Sequence, residues 1–182
     1  MKKPDLRILI VQGFFTIIGA ATSLIMLQRT LVSDPDILTL LNSIVFVAVY
    51  LYIIFYSTVN YKKDDIHYRI AVYCYASLLG IEILYSGKLM SDMGLGEVQT
   101  LVVNICNLIC FALVIIFAEN LESRKKAIIS MATSVIIKYL AELWLIIMMI
   151  NFVKLVHILT ALAVPILGTT VLLAYMHRYG ND

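Results

Sequence analysis

The chain has 182 residues, 62% apolar and 14% charged, where soluble domains run near roughly 45–50% and about 25%. Fourteen Lys and Arg and twelve Asp and Glu are too few to coat a soluble core of this length when they are gathered into short clusters. The net charge of +2 and the separation of the basic clusters argue against the continuous basic stripe of a nucleic-acid binder, so no nucleic-acid partner is expected.

Six apolar stretches follow one another, each close to the roughly 20 residues with which a helix crosses about 30 Å of hydrocarbon. The first, residues 8–28, follows Lys2, Lys3 and Arg7. It exceeds the roughly 7–15 residues of a signal-peptide core and no clear cleavage site closes it, so it reads as a span. Gly13, Thr16, Gly19, Ala20 and Ser23 put small residues at three- and four-residue spacing, which lets another helix approach closely. Asp34-Pro35-Asp36 makes a turn into the second stretch, 37–57, which carries Asn42, Tyr50 and Tyr52.

After Lys62, Lys63 and Arg69 comes 68–86, with Tyr73, Cys74 and Glu82. Gly94 and Gly96 loosen the loop to 98–118, which holds Asn104, Cys106, Asn107 and Cys110. The three cysteines lack the close pairing of a disulfide framework or a zinc site and read as small buried residues. Arg124, Lys125 and Lys126 precede 127–150, the stretch of Lys138, Glu142 and Trp144. Asn151 marks the tightest turn, and 152–177 completes the series with Pro165 and Gly168.

None of these stretches alternates apolar and polar residues as a membrane strand does, and a span without that pattern satisfies its backbone only as a helix. The expected fold is all-α: a polytopic transmembrane bundle of about six helices, sequential ones antiparallel neighbours, forming one domain over residues 1–182. Lys and Arg fix its orientation. Lys2, Lys3, Arg7, Lys62, Lys63, Arg69, Arg124, Lys125, Lys126 and Arg178 fall on one side, against Arg29, Lys88 and Lys154 on the other. That asymmetry alternates from loop to loop and places both termini in the cytoplasm, with the cell membrane as the expected location. Tyr56, Tyr61, Tyr68, Tyr175 and Tyr179 fall at the inner boundaries, and Tyr85 and Trp144 toward the outer one. Tyr50, Tyr52 and Tyr73 sit deeper and are expected to pack in the core with their hydroxyls on backbone carbonyls.

Ionisable residues inside a span are costly and mark sites of function more often than other residues do. At about 1.5 Å per residue from the predicted cytoplasmic ends, Lys138 and Asn107 lie about 16 Å deep and Glu82 about 18 Å, with Asn104, Glu142 and Asn42 at about 21–22 Å. All six belong to one layer, from the midplane into the outer half. Lys138 and Glu142, four residues apart on one helix, can pair directly. Glu82 is then a surplus acid that shares Lys138, holds a proton or binds a cation. Pro165 lies near the same level, kinking its helix and freeing the carbonyl of Ala161.

This layer suggests a small transporter, channel or solute-binding subunit with a polar site near the midplane. The alternative is a membrane-embedded sensor, regulator or assembly subunit acting through protein partners, in which the layer is interhelical glue. His67, His157 and His177 lie near predicted boundaries, and no hydrolase, metalloprotease, phosphate-loop or dinucleotide motif is present. Neither an enzyme nor a metal or other cofactor is expected. Expected partners are the bilayer itself, anionic lipid at the cytoplasmic Lys and Arg loops, and a second copy of the chain or a larger membrane complex.

Overall fold

The computed structural model describes residues 6–32, 37–59, 65–92, 97–148, 158 and 161–179. Among them there is no strand, and the chain forms six helices: α1 (Leu6–Val32), α2 (Ile37–Val59), α3 (Asp65–Asp92), α4 (Glu97–Glu119), α5 (Arg124–Met148) and α6 (Ala163–Tyr179). Each coincides with one of the apolar stretches, and most overrun theirs by a few residues, since helical hydrogen bonding continues into polar flanks. α6 covers the second part of 152–177. The rest of that stretch up to residue 157, and the expected turns at Asp34-Pro35-Asp36, Gly94, Gly96 and Asn151, lie outside the described residues.

The turn between α4 and α5 shows how one helix stops and the next starts. Asn120 closes α4 twice over: its backbone N–H reaches the carbonyls of Ile116 and Phe117 at 3.1 and 3.2 Å, and its side-chain amide donates to Ile116 at 2.8 Å. These bonds satisfy carbonyls that a helix end otherwise leaves open. Ser123 then donates to Asn120 and accepts from Ala127, which starts α5.

Specific contacts fix the register. Between α3 and α4 with the turn that follows it, Arg69 meets Glu122 at 3.8 Å, Tyr73 donates to Glu119 at 2.5 Å, and Gly80 faces Phe111, so ascending numbers in α3 match descending numbers beside it. Between α4 and α5, Cys110 and Ser134 exchange reciprocal side-chain to carbonyl bonds, both 3.3 Å. Against α6, Val135 of α5 touches Gly168, while Tyr175 donates to Leu121, just before α5, at 2.7 Å. α3 with α4, α4 with α5 and α5 with α6 are therefore antiparallel. α6 also packs along α1, which closes the six helices into a ring, and it touches α2 and α3 across the interior.

Tyr73 departs from expectation: it is exposed, and its hydroxyl meets a carboxylate on α4 instead of a core carbonyl. It lies on the face of α3 opposite the buried Tyr75 and Leu79. Tyr175, expected at a boundary, is fully buried, its ring edge-on to Phe117. Cys110 is buried, with Cys74 and Cys106 partly so.

α6 is the most enclosed helix, with buried residues from Ala163 through Gly168 and again at Thr170, Val171, Ala174 and Tyr175. Pro165 sits in its first turn. Leu162 donates to Ile158 and accepts from Ile166, both at 3.0 Å, whereas Pro165 has no N–H to give the Ala161 carbonyl. α2 is pinned to α1 and α6 by Tyr50, whose hydroxyl donates to the Phe15 carbonyl at 3.0 Å and lies 3.4 Å from Thr170 Oγ1.

Among the described residues, the outward faces of α4 and α5 are apolar. Val98, Leu101, Val102, Ile105, Leu108, Ile109 and Ile116 on α4, and Ile129, Ile136, Leu140, Leu143 and Ile147 on α5, are all exposed, each set forming a stripe about 27 Å long. α4 and α5 are long and apolar enough to cross a bilayer.

Gly19 is where α1 admits Tyr50. A Cβ there would lie 1.8 Å from the Tyr50 hydroxyl, whereas one at Gly13 would meet nothing within 4 Å. Thermal unfolding in detergent is expected to show Gly19→Ala less stable by about 1–3 kcal/mol and Gly13→Ala neutral or up to about 1 kcal/mol more stable. Equal effects at the two positions would contradict the pin.

Candidate functional site

α5 carries a polar residue at every fourth position from Ser130: Ser134, Lys138 and Glu142 follow, and all four are buried. Such spacing lines one helix face, and here that face points inward. Lys138 is 1% exposed, against 65% for Ile129 and 64% for Ile147 on the same helix. α5 thus buries four polar side chains while exposing Ile and Leu on its opposite face.

Three oxygens from three helices surround the Lys138 ammonium. Glu82 Oε2 of α3 lies 2.7 Å from Nζ, Glu142 Oε1 of α5 lies 2.7 Å away, and Asn107 Oδ1 of α4 accepts a hydrogen bond at 2.8 Å. An ammonium has three donors and no acceptor, so its immediate surroundings are filled. Asn107 is 1% exposed and Glu142 8%, while the Glu82 side chain retains 24%. Glu82 is the most exposed member of the group, and its Oε2 pairs with Nζ as closely as Glu142 does.

Each arm is positioned by the fold. The reciprocal Cys110 and Ser134 bonds lie about one turn from Asn107 and Lys138 along the same antiparallel pair, so they set the register that brings amide to ammonium. The i, i+4 relation of Lys138 and Glu142 makes their pairing local. Glu82 arrives from α3, which has no extended packing against α5, and two long side chains bridge the interval. Both carboxylate oxygens lie 2.7 Å from one nitrogen, so they are at most twice that distance apart. Two carboxylates against one ammonium leave one negative charge in surplus when all are ionised.

Of the residues expected in the layer, Glu82, Asn107, Lys138 and Glu142 come together. Asn104 is half-buried on α4, three residues from Asn107 on the same side. The side chain of Asn42 lies outside the described residues. In the antiparallel register of α5 and α6, Pro165 is level with Lys138 and Ala161 with Glu142, so the carbonyl that proline deprives of a donor falls within the polar layer.

Other polar groups here were not singled out by sequence reasoning. Ser134 and Cys110 set the register. Tyr139 Oη lies 3.3 Å from Thr169 Oγ1, and Thr169 donates to the Pro165 carbonyl at 2.9 Å. The four-residue recurrence of Ser130, Ser134, Lys138 and Glu142 is the signal that marks the inward face of α5. Tyr75 is fully buried, and its hydroxyl has no hydrogen-bond partner among the described residues.

No protein-family model, curated protein sequence or solved structure matches the chain.

Removing one member of a buried ionic group leaves charge uncompensated, at a cost of about 3–5 kcal/mol, whereas replacing all members by apolar residues of similar volume is neutral or stabilising by about 1–4 kcal/mol. Lys138→Met alone is expected to lower the unfolding temperature in detergent sharply, and the triple variant Glu82→Met, Lys138→Met, Glu142→Met to restore it. A single variant as stable as the parent chain would mean that the ammonium does not hold the two carboxylates.

Proposed function

We propose that this is a multi-pass protein of the cell membrane, both termini cytoplasmic, which binds a proton or small cation at Glu82, Lys138 and Glu142 and works as a small transporter, channel or solute-binding subunit. The observation that carries this reading is the burial of a lysine between two carboxylates beside helices, α4 and α5, whose outward faces are apolar. Hydrocarbon is the medium in which that distribution lowers free energy, since exposed Ile and Leu are at home there and ion pairs are driven inward. The stripes on α4 and α5, about 27 Å long, match a hydrocarbon core of about 30 Å.

Charge placement supports the orientation. α5 begins with the exposed Arg124, Lys125 and Lys126, where the helix dipole disfavours cations. Helix stability does not account for that choice, whereas retention of Lys and Arg on the cytoplasmic side does. These residues are then placed for anionic headgroups. Six helices are few for a solitary transporter, which favours a second copy or a larger complex around the site.

The surplus negative charge gives the site its chemistry. A low-dielectric interior makes an uncancelled charge costly, and a proton or a cation arriving at Glu82, the exposed arm, cancels it. A second reading rests on the filled surroundings of Lys138: the network clamps α3, α4 and α5 in a subunit that acts through protein partners.

Reconstitution separates the two. In liposomes loaded with a pH-sensitive dye under an imposed sodium or potassium gradient, the parent chain is expected to change internal pH faster than protein-free vesicles, and Glu82→Gln to abolish the difference. A folded parent chain that matches empty vesicles under both gradients would leave the clamp as the function of the network.

A further inference from the structure

α4 changes character halfway along one side. Glu97, Thr100, Asn104 and Asn107 recur at intervals of three, four and three residues, which aligns them over about 15 Å of one helix face. The same face continues with Phe111, Val114 and Ala118, so it turns from polar to apolar at the level of the charged group. Phe111 lies against Gly80 of α3, which directs this face toward α3. In the antiparallel register Glu82 is level with the interval from Asn107 to Phe111. Asn104, Thr100 and Glu97 therefore lie beyond Glu82, toward the end of the bundle away from Arg124, Lys125 and Lys126. Glu97 is exposed, Thr100 and Asn104 are half-buried, and Asn107 is buried.

Glu82 stands where the polar part of that stripe ends. On α3 it shares the inward face with Tyr75, Leu78 and Leu79, seven, four and three residues before it, and it reaches an ammonium enclosed by the bundle. Those three neighbours are buried to within 1%, yet the Glu82 side chain keeps 24% of its surface. Inward positions on α5 loosen in the same direction, from Met131 and Ser134, fully buried, to Glu142 at 8%. On the other side of the charged layer the interior is closed. Tyr75, Val114, Phe117, Met131 and Tyr175 have no exposed surface, and Ser130 and Ser134 return their hydroxyls to the carbonyls of Ala127 and Cys110.

We infer that water-borne cations reach Glu82 from the Glu97 end of the bundle, along the polar side of α4, and that the opposite end is sealed against them. Polar side chains are costly to bury in apolar surroundings, and ionisable residues within a span face the bundle interior or a water-filled passage. A row of Glu, Thr and Asn leading to the exposed flank of Glu82 meets both conditions when water enters beside it. The approach suits a cation, since it begins at one carboxylate and ends at another, while the Lys138 ammonium stays behind its three acceptors. In the orientation proposed above this is the extracytoplasmic side. The use of the entrance for uptake or capture rests on the function proposed there; the side from which water meets Glu82 does not.

A permanently charged, water-soluble carbodiimide, applied with a small amine to either face of sealed membranes that hold the full chain, reads the side of entry through its reaction with carboxyl groups. Glu97 and Glu122, both exposed and at opposite ends, report which face the reagent meets. Reagent that modifies Glu97 and spares Glu122 is expected to modify Glu82 too, several-fold faster than Glu142. Reagent that modifies Glu122 and spares Glu97 is expected to leave Glu82 intact. Modification of Glu82 along with Glu122, or equally from both faces, overturns the inference. So does a Glu82 that resists the charged reagent from both faces, including one that only a lipid-soluble carbodiimide modifies. Modification from the Glu97 face in a chain with no liposome pH response sustains the entrance and removes transport, whereas a response that depends on Glu82 while Glu82 resists the charged reagent does the reverse.

Discussion

A primary ammonium sealed inside an apolar bundle constrains everything around it. Lys138 cannot reach solvent, so acceptors must come to it, and they come from three helices: Glu82 from α3, Asn107 from α4 and Glu142 from its own helix α5. The relative height of α3, α4 and α5 is thereby fixed within the reach of one side chain. The reciprocal bonds of Cys110 and Ser134 hold the same register from below, and the contact of Val135 with Gly168 passes it on to α6.

The inward polar face of α5 and its outward stripe of Ile129, Ile136, Leu140, Leu143 and Ile147 both fit the hydrocarbon medium proposed above. In water the stripe would drive association and the ion pair would gain by exposure; in hydrocarbon both preferences reverse. α6 completes the enclosure. Its small and β-branched residues allow close approach on several sides, and its threonines return their hydroxyls to carbonyls four residues back, Thr169 to Pro165 and Thr170 to Ile166. Those threonines then meet Tyr139 and Tyr50 from neighbouring helices.

Much of the site was legible before the fold, and for definite reasons. The pairing of Lys138 with Glu142 follows from helical spacing alone, and the level of Glu82 and Asn107 follows from counting residues along a helix. Counting gives height but not azimuth. Hence Asn107 and Asn104, three residues apart, could not be ranked, and Tyr73 was assigned to a core that its neighbour Tyr75 occupies. Nor does sequence order reveal that α6 returns to α1, because short loops dictate only which successive helices are neighbours. Tyr175 illustrates a further limit: near the end of its helix it reads as a boundary residue, yet the turn at Leu121 folds over it and supplies an acceptor.

The chain contains one tryptophan, Trp144, half-buried on α5 and six residues beyond Lys138, about 9 Å along the axis. Its fluorescence in vesicles whose lipids carry bromine at graded depths reads the surroundings of this helix without altering the protein. If hydrocarbon encloses the charged layer, acyl-chain bromines will quench Trp144, most strongly at intermediate depth, and aqueous iodide will not. Quenching by iodide with brominated lipid inert would put water where lipid is required and leave the buried ammonium without its reason.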